Sequence, residues 1–271
     1  MSIRNLIKLI ALMLLAAPLA AQAAGTELTW YGHSAFKLTT PSGKVLLIDP
    51  WIANPANKSG KEDLAKLDKV DLILLTHGHF DHAGDSAAIA TKTGAKLVAT
   101  FDLGQAMAQY GGYPKDQMGF DTLGNFGGEL TLLDGEVKVA FIPAIHSSTV
   151  TEAEGAKTIH DGGNPGGFLI TIKNGPTIYH TGDTDVFADM ALVKQFHKVD
   201  VMLTAIGGHF TMGPERAAEA VRLVSPATVI PMHYGTFPIL TGTPQALQAA
   251  LKAGNSKAKV QTLAIGNSIK L

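Results

Sequence analysis

The chain has no cysteine, which excludes disulfides, thiolate metal ligands, a lipid-modified cysteine at a cleavage site and a cysteine nucleophile. Charge is sparse as well: Asp, Glu, Lys and Arg make up 17% of the residues, 22 basic side chains against 23 acidic ones, with no Lys/Arg cluster. Polymeric nucleic acid needs a basic face to neutralise its phosphates, so no nucleic-acid partner is expected. Beyond the N-terminal stretch no apolar run approaches the roughly 20 residues of a membrane-spanning helix. Linkers, low-complexity segments and visible repeats are missing too. The pairs Gly166-Gly167 and Gly207-Gly208 lack the spacing of a dinucleotide or P-loop motif and read as tight loops. What is present is an apolar fraction of 46%, enough to build one large core.

Met1 to Ala23 has basic Arg4 and Lys8, an apolar run from Leu9 to Ala17 and small residues around Ala21-Gln22-Ala23. This is the layout of a cleavable secretory signal, with 24–271 as the mature domain in a periplasmic or secreted setting. Cleavage removes two basic residues and no acidic one, leaving 20 against 23, a formal charge of −3. No membrane anchoring is expected after cleavage, and a homo-oligomer is compatible with the sequence.

The chemistry is concentrated in Thr76-His77-Gly78-His79-Phe80-Asp81-His82-Ala83-Gly84-Asp85, directly after the apolar run Leu72-Ile73-Leu74-Leu75. Residues at i and i+2 of an extended segment point to the same side, so His77 and His79 can share one cation. A helix starting near Ala83-Gly84 carries Asp81 and His82 to a second position close by. Imidazole nitrogen with carboxylate oxygen suits Zn and also Mn, Fe or Ni, whereas Mg or Ca would ask for an all-oxygen cage.

These residues resemble the metallo-β-lactamase superfamily signature His-x-His-x-Asp-His, met without a gap by His77, His79, Asp81 and His82. Later segments follow in the family's order. The resemblance makes His146, after the run Val139 to Ile145, the third ligand of the first metal. It makes Asp183, in Tyr179-His180-Thr181-Gly182-Asp183, the bridging carboxylate, and His233, after Thr228 to Met232, the ligand that closes the second site. Asp49, ending Val45-Leu46-Leu47-Ile48-Asp49, matches an aspartate that orients the metal-binding loop. A narrower resemblance, to the branch of bacterial metal-dependent hydrolases that includes L-ascorbate-6-phosphate lactonase, is carried by Trp30-Tyr31-Gly32-His33-Ser34-Ala35-Phe36, Asn164 to Phe168, Ile206 to Pro214 and Met232 to Pro238. The Asp183 equivalent argues against a true β-lactamase.

Apolar runs bounded by Gly, Pro or Asp predict strands near 27–31, 35–39, 44–48, 71–76, 96–99, 130–133, 137–142, 168–173, 177–180, 201–205, 228–232 and 260–264. Helices are expected at 62–67, 84–93, 102–110, 185–196, 214–224 and 244–253. Grouped strands that then alternate with helices suit two central sheets covered by helices, an α/β (α+β) chain, and the resembled family has this four-layer αββα sandwich. The stretches 104–128 and 149–167 read as long surface loops.

The resemblance implies two divalent metal ions, zinc foremost, with Mn, Fe or Ni as alternatives. Hydroxide shared between them would attack a lactone or ester bond of a small-molecule substrate. Asp81 and Asp183 are the carboxylates in this chemistry. His33 and His209, on Gly-flanked loops, either bind a substrate oxygen or are structural. His180 is expected to pack beside the site, His160 to decorate its loop and His197 to end a helix. Tyr31, Trp51 and Phe210 either wall the pocket or belong to the core. A phosphodiesterase acting on small phosphoesters is the alternative within hydrolysis. A di-iron oxidoreductase and a non-catalytic metal-binding module are the alternatives from other classes.

Overall fold

Short strands rich in Val, Ile and Leu with no polar alternation are what a parallel sheet buried on both faces requires, and both halves of the chain contain them. The computed structural model describes residues 25–271; the expected signal at 1–23 lies outside the described residues. The first sheet is built from β1 (Glu27–Trp30), β2 (Phe36–Thr39), β3 (Val45–Ile48), β4 (Leu72–Leu74), β5 (Lys96–Thr100) and β6 (Leu123–Gly124). The second contains β7 (Glu129–Leu132), β8 (Val137–Pro143), β11 (Gly166–Ile172), β12 (Thr177–His180), β13 (Val201–Ala205), β14 (Thr228–Met232) and β15 (Lys259–Val260). A small hairpin joins β9 (Thr149–Thr151) to β10 (Ile159–Asp161), and β16 (Ser268–Lys270) returns to the first sheet beside β1.

The orders are β16-β1-β2-β3-β4-β5-β6 and β15-β14-β13-β12-β11-β8-β7. Followed along the chain, each sheet begins with antiparallel neighbours and goes on to parallel ones, the switch falling after β3 in the first and after β12 in the second. The fold is thus two similar halves with little likeness in sequence.

Side chains from both sheets meet in one core that includes Phe36, Leu46, Leu74, Phe141, Phe168 and Ile230. Helices α1 (Gly60–Ala65), α2 (Phe80–Ala83), α3 (Ser86–Thr93) and α4 (Phe101–Gln109) follow strands of the first sheet. Ile89, Ala90, Leu103 and Met107 from α3 and α4 pack on the sheet's outer face. Helices α5 (Met190–Phe196), α6 (Pro214–Val224) and α7 (Pro244–Ala253) cover the second through Val193, Val221 and Leu247. The four layers are those expected.

Several boundaries differ. The segment 149–167 is not one loop: it holds the β9–β10 hairpin and the start of β11. Between 104 and 128 lie the end of α4, a 3₁₀ turn at Lys115–Gln117 and β6. The helix expected at 185–196 begins only at Met190, because Asp185 turns its carboxylate onto the Val186 amide and onto Arg216. The expected strand at 260–264 is limited to Lys259–Val260; after one more bond, from the Gln261 amide to Val229, the chain leaves the sheet. At 84–93, a one-turn α2 ends before Gly84 and α3 starts at Ser86.

Phe168 lies at the middle of the inter-sheet core, 2% exposed and edge-on to Phe141 at 5.6 Å between ring centroids. Phe168→Ala should lower the unfolding free energy by about 3–5 kcal/mol. Urea titration measures this; a change under about 1 kcal/mol would contradict the packing described.

Candidate metal centre

In an open α/β sheet, ligands bind beyond the carboxyl ends of parallel strands, and here the ends of β3, β4, β12, β13 and β14 point to one edge of the sandwich. Ile48 on β3 faces Leu74 on β4, so Asp49 emerges beside the chain that leads to His77. The Asp49 carboxylate is fully buried. It accepts the Thr76 amide at 2.9 Å and the Thr76 hydroxyl at 2.7 Å, and its Oδ2 accepts His82 Nδ1–H at 2.8 Å. With its proton given to Asp49, the Thr76 hydroxyl is left to accept His77 Nδ1–H at 3.0 Å. That relay fixes the tautomer of His77 and leaves its Nε2 with a free lone pair, 3.0 Å from His79 Nδ1. Hydrogen bonds of this kind, outside the ligands themselves, orient a metal-binding imidazole.

His146 joins these two from the loop after β8, its ring centroid 5.2 Å from those of both His77 and His79. The Ile145 amide donates to the Thr184 hydroxyl at 3.0 Å and the Asp185 amide to the Ile145 carbonyl at 3.1 Å, which sews the His146 loop to the Asp183 loop. Asp183 faces histidines with both oxygens. Oδ1 is 3.2 Å from His82 Nε2, and Oδ2 is 3.0 Å from His233 Nε2 and 3.7 Å from His146 Nε2. Asp81 Oδ2 lies 3.8 Å from His233 Nε2 and 3.1 Å from His33 Nε2. Ligand atoms of His77, His79 and His146, of His77, His82 and Asp183, and of His33, Asp81, His82 and His233 each lie within 4.8 Å of one another.

The donor atoms fit a metal. His82 Nε2, Asp183 Oδ1 and both ring nitrogens of His233 are buried without a hydrogen-bond partner, although His82 and Asp183 approach to 3.2 Å. They are close but not aligned on each other. Each such orphaned group costs about 1–3 kcal/mol unless something else satisfies it, and a cation shared among His82 Nε2, Asp183 Oδ1 and His233 Nε2 would do so for those three atoms.

Charge in the centre follows burial and neighbours. Burial holds His77, His79 and His146 below the ordinary histidine range, so their imidazoles are neutral at neutral pH. Burial also pushes His33 down to about 4. For Asp81 burial would favour the protonated acid, but the bond from His33 outweighs it and holds the carboxyl well below its usual range. For Asp183 His233 and His82 outweigh burial in the same sense. His82 runs the other way: burial disfavours its charge, yet Asp183 and Asp49 on its two nitrogens raise it well above the ordinary value.

The remaining histidines differ in their relation to the centre. His180 is buried as expected, donating Nε2–H to the Ser34 carbonyl at 3.2 Å and accepting the Gly182 amide on Nδ1 at 3.1 Å. His33 is 1% exposed, with Nδ1 2.9 Å from the Thr236 hydroxyl and Nε2 on Asp81. It faces a carboxylate rather than open solvent. His209 is exposed against Phe210 and outside all three groupings. His160 stacks on Tyr110 and pairs with Glu152 at 2.9 Å, and His197 follows the last turn of α5. Tyr31 is core, Phe210 is exposed, and Trp51 stands beside His33 at 5.4 Å. Thr76, Thr236, Phe80 and Phe237 were not legible as site residues. Their one signal was adjacency, each lying within four residues of a candidate ligand.

A mixed N/O centre at the strand ends of this sandwich defines a metal-dependent hydrolase of the metallo-β-lactamase fold. The chain belongs to the β-lactamase superfamily, residues 27–233 matching the family model described as Beta-lactamase superfamily domain. It is 57% identical over 264 residues to a UPF0173 metal-dependent hydrolase of Thermodesulfovibrio yellowstonii, covering 97% of this chain and 99% of that protein. A UPF0173 metal-dependent hydrolase of Anaeromyxobacter dehalogenans is 57% identical over 246 residues, 90% of this chain and 86% of the relative. Among solved structures, a metallo hydrolase of the hyperthermophilic archaeon Ignicoccus hospitalis aligns with a TM-score of 0.78 and 35% identity, covering 92% of this chain and 99% of that one.

The lowered histidines predict acid lability of the metal-free protein. A histidine whose folded pKa lies below its unfolded value of ~6.5 gives stability that is full above ~6.5 and is lost as pH falls toward the folded value, about 4 for His33. His77, His79 and His146 act in the same sense. His82 has the opposite sign, its contribution complete below ~6.5 and lost at higher pH, so it does not offset the loss. The melting temperature should fall steadily from pH 7 to pH 4.5, as read by calorimetry. A flat profile would contradict the neutral state of these four imidazoles.

Proposed function

We propose that this protein is a dinuclear-metal hydrolase that cleaves a lactone or carboxylic ester bond of a small molecule, with zinc as the first candidate metal. The observation that carries the reading is the position of Asp183, whose oxygens face His82 on one side and His233 and His146 on the other. His77, His79 and His146 would hold one ion, Asp81, His82 and His233 the other, and Asp183 both. Bound there, divalent ions supply a water activated for attack near neutral pH and an electrophile for the carbonyl oxygen.

The chain's own residues make that chemistry available. Asp49 and Thr76 hold the Nδ1 sides of His82 and His77, so that each ring presents Nε2 toward the proposed metals. His33, backed by Thr236, keeps Asp81 ionised and aimed. No serine is needed as a nucleophile: Ser148 is occupied in accepting the Gly78 amide and donating to the Gly162 carbonyl.

The preference for a lactone or ester comes from the branch that the sequence resembles. Small phosphodiesters form the second reading, because the same donor set accepts a phosphoryl oxygen. The acidic mature chain supports neither polymeric nucleic acid nor a nucleic-acid partner. The N-terminal signal layout supports a periplasmic or secreted enzyme.

Residues 24–271 reconstituted with Zn²⁺ or Mn²⁺ should hydrolyse members of a lactone and ester panel. Asp183→Ala should reduce kcat/KM by about 100-fold or more. Turnover confined to phosphodiesters would replace the leading reading with the second, and no turnover on either panel would contradict both.

A further inference from the structure

Phe80, 61% exposed, stands between His79 and Asp81 in the metal-binding loop itself. It does not stand alone. Its ring meets Trp51 at 5.6 Å, nearly perpendicular, and Trp51 in turn stacks on Phe237 at 5.9 Å and 27°. Trp51 and Phe237 both lie edge-on to His33, at 5.4 and 6.0 Å, and His33 touches Asp81 and lies 3.9 Å from the His233 ring. Three aromatic rings from three separate segments therefore form one continuous wall. It runs from solvent at Phe80 to the buried edge of the metal centre.

Close neighbours seat two of its rings. Trp51 follows the buried Asp49-Pro50 turn, and its indole sits where a Cβ on Gly84 would be 2.6 Å away, so the glycine after α2 leaves room for the ring. Phe237 follows Thr236, whose hydroxyl is bonded to His33. The residues that aim the centre also place the aromatics. Exposed apolar side chains also flank the Asp183 loop: Ile145, next to His146, is 57% exposed, and Phe210 is 59% exposed on a loop whose Met212 amide is bonded to the Thr184 carbonyl.

Charge complementarity narrows the occupant further. Among the described residues every ion-pair partner of Asp49, Asp81 and Asp183 is a histidine. Arg216, near the Asp183 loop, is held by Asp185 at 2.6 Å. Arg222, the other arginine among the described residues, is held by Glu219, so neither guanidinium is free for a phosphate or carboxylate remote from the scissile bond. Grouped exposed apolar side chains mark a binding surface, and aromatic walls take alkyl or aryl groups.

We propose that the substrate is an uncharged lactone or ester carrying an alkyl or aryl group, and that Trp51, Phe80 and Phe237 form the subsite for that group. The inference rests on the hydrolase reading above and adds the substrate class.

The test uses the Zn²⁺-loaded protein and γ-lactones from butyrolactone to decalactone, with 6-phosphogluconolactone as the polar, anionic comparison. Calorimetric titration with uncleaved 5-alkyl-2-pyrrolidinones of matching chain length gives a binding readout independent of turnover. The expected result is a rise in kcat/KM, and a tightening of lactam binding, of about two- to fourfold per added methylene over the first several carbons. Trp51→Ala should cut the long-to-short ratio about tenfold or more in both readouts, while Phe120→Ala, an exposed ring outside this wall, leaves it unchanged.

Turnover that is indifferent to chain length, or that favours the phosphorylated lactone, overturns the apolar subsite and leaves the hydrolase reading standing. Absence of turnover on all lactones and esters overturns the lactone-and-ester reading, and the titration then decides the subsite alone. Chain-length-dependent lactam binding lost in Trp51→Ala upholds it, and no binding overturns it.

Discussion

The buried carboxylate of Asp49 is the interaction on which the rest of the centre depends. An ionised group removed from water is tolerated only where hydrogen bonds and opposite charge replace its hydration. Asp49 obtains these from the Thr76 amide and hydroxyl and from His82. In doing so it ties the end of β3 to the end of β4 and to the one-turn helix carrying Asp81 and His82. It also sets, through Thr76, which nitrogen of His77 is free. One side chain thereby aims a histidine toward each of the two proposed metal positions.

The loops around this anchor are held in backbone conformations that ordinary side chains avoid. His33, Asp49, His209 and His233 all have positive φ, between 45° and 59°. Left-handed backbone at non-glycine residues costs on the order of 1–3 kcal/mol each and persists where the surroundings over-determine it. Here three of the four carry hydrogen bonds that explain the persistence: Asp49 to Thr76, His33 to Asp81, and the His233 amide to the His33 carbonyl. Gly182 and Gly207 allow the close approach of these loops. A Cβ would stand 2.4 Å from the Gly166 carbonyl at the first and 2.1 Å from the His233 carbonyl at the second.

Much of this was legible in the sequence, for physical reasons. Parallel strands buried on both faces read as unbroken apolar runs, so β3, β4, β13 and β14 were found within a residue or two of their ends. The segment from His77 to His82 announces itself because ligand chemistry depends on spacing. What stayed hidden depends on contacts across the chain. The β9–β10 hairpin and β16 are three-residue strands whose existence rests on partners rather than on pattern. The burial of His33 follows from Thr236 and Asp81, which are 203 and 48 residues away. The aromatic wall joins residues 51, 80 and 237, and no local window contains it.

The two halves of the sandwich each contribute one part of the centre: the first sheet presents Asp49 and His77 to His82, the second His146, Asp183 and His233. The central claim is that Asp183 unites these parts around two metal ions. Anomalous diffraction at the zinc edge from crystals of the Zn²⁺-loaded protein tests it most directly. Two peaks per chain are expected, one beside His77, His79 and His146, one beside Asp81, His82 and His233, with Asp183 between them. A single peak, or a pair not sharing Asp183, would contradict it.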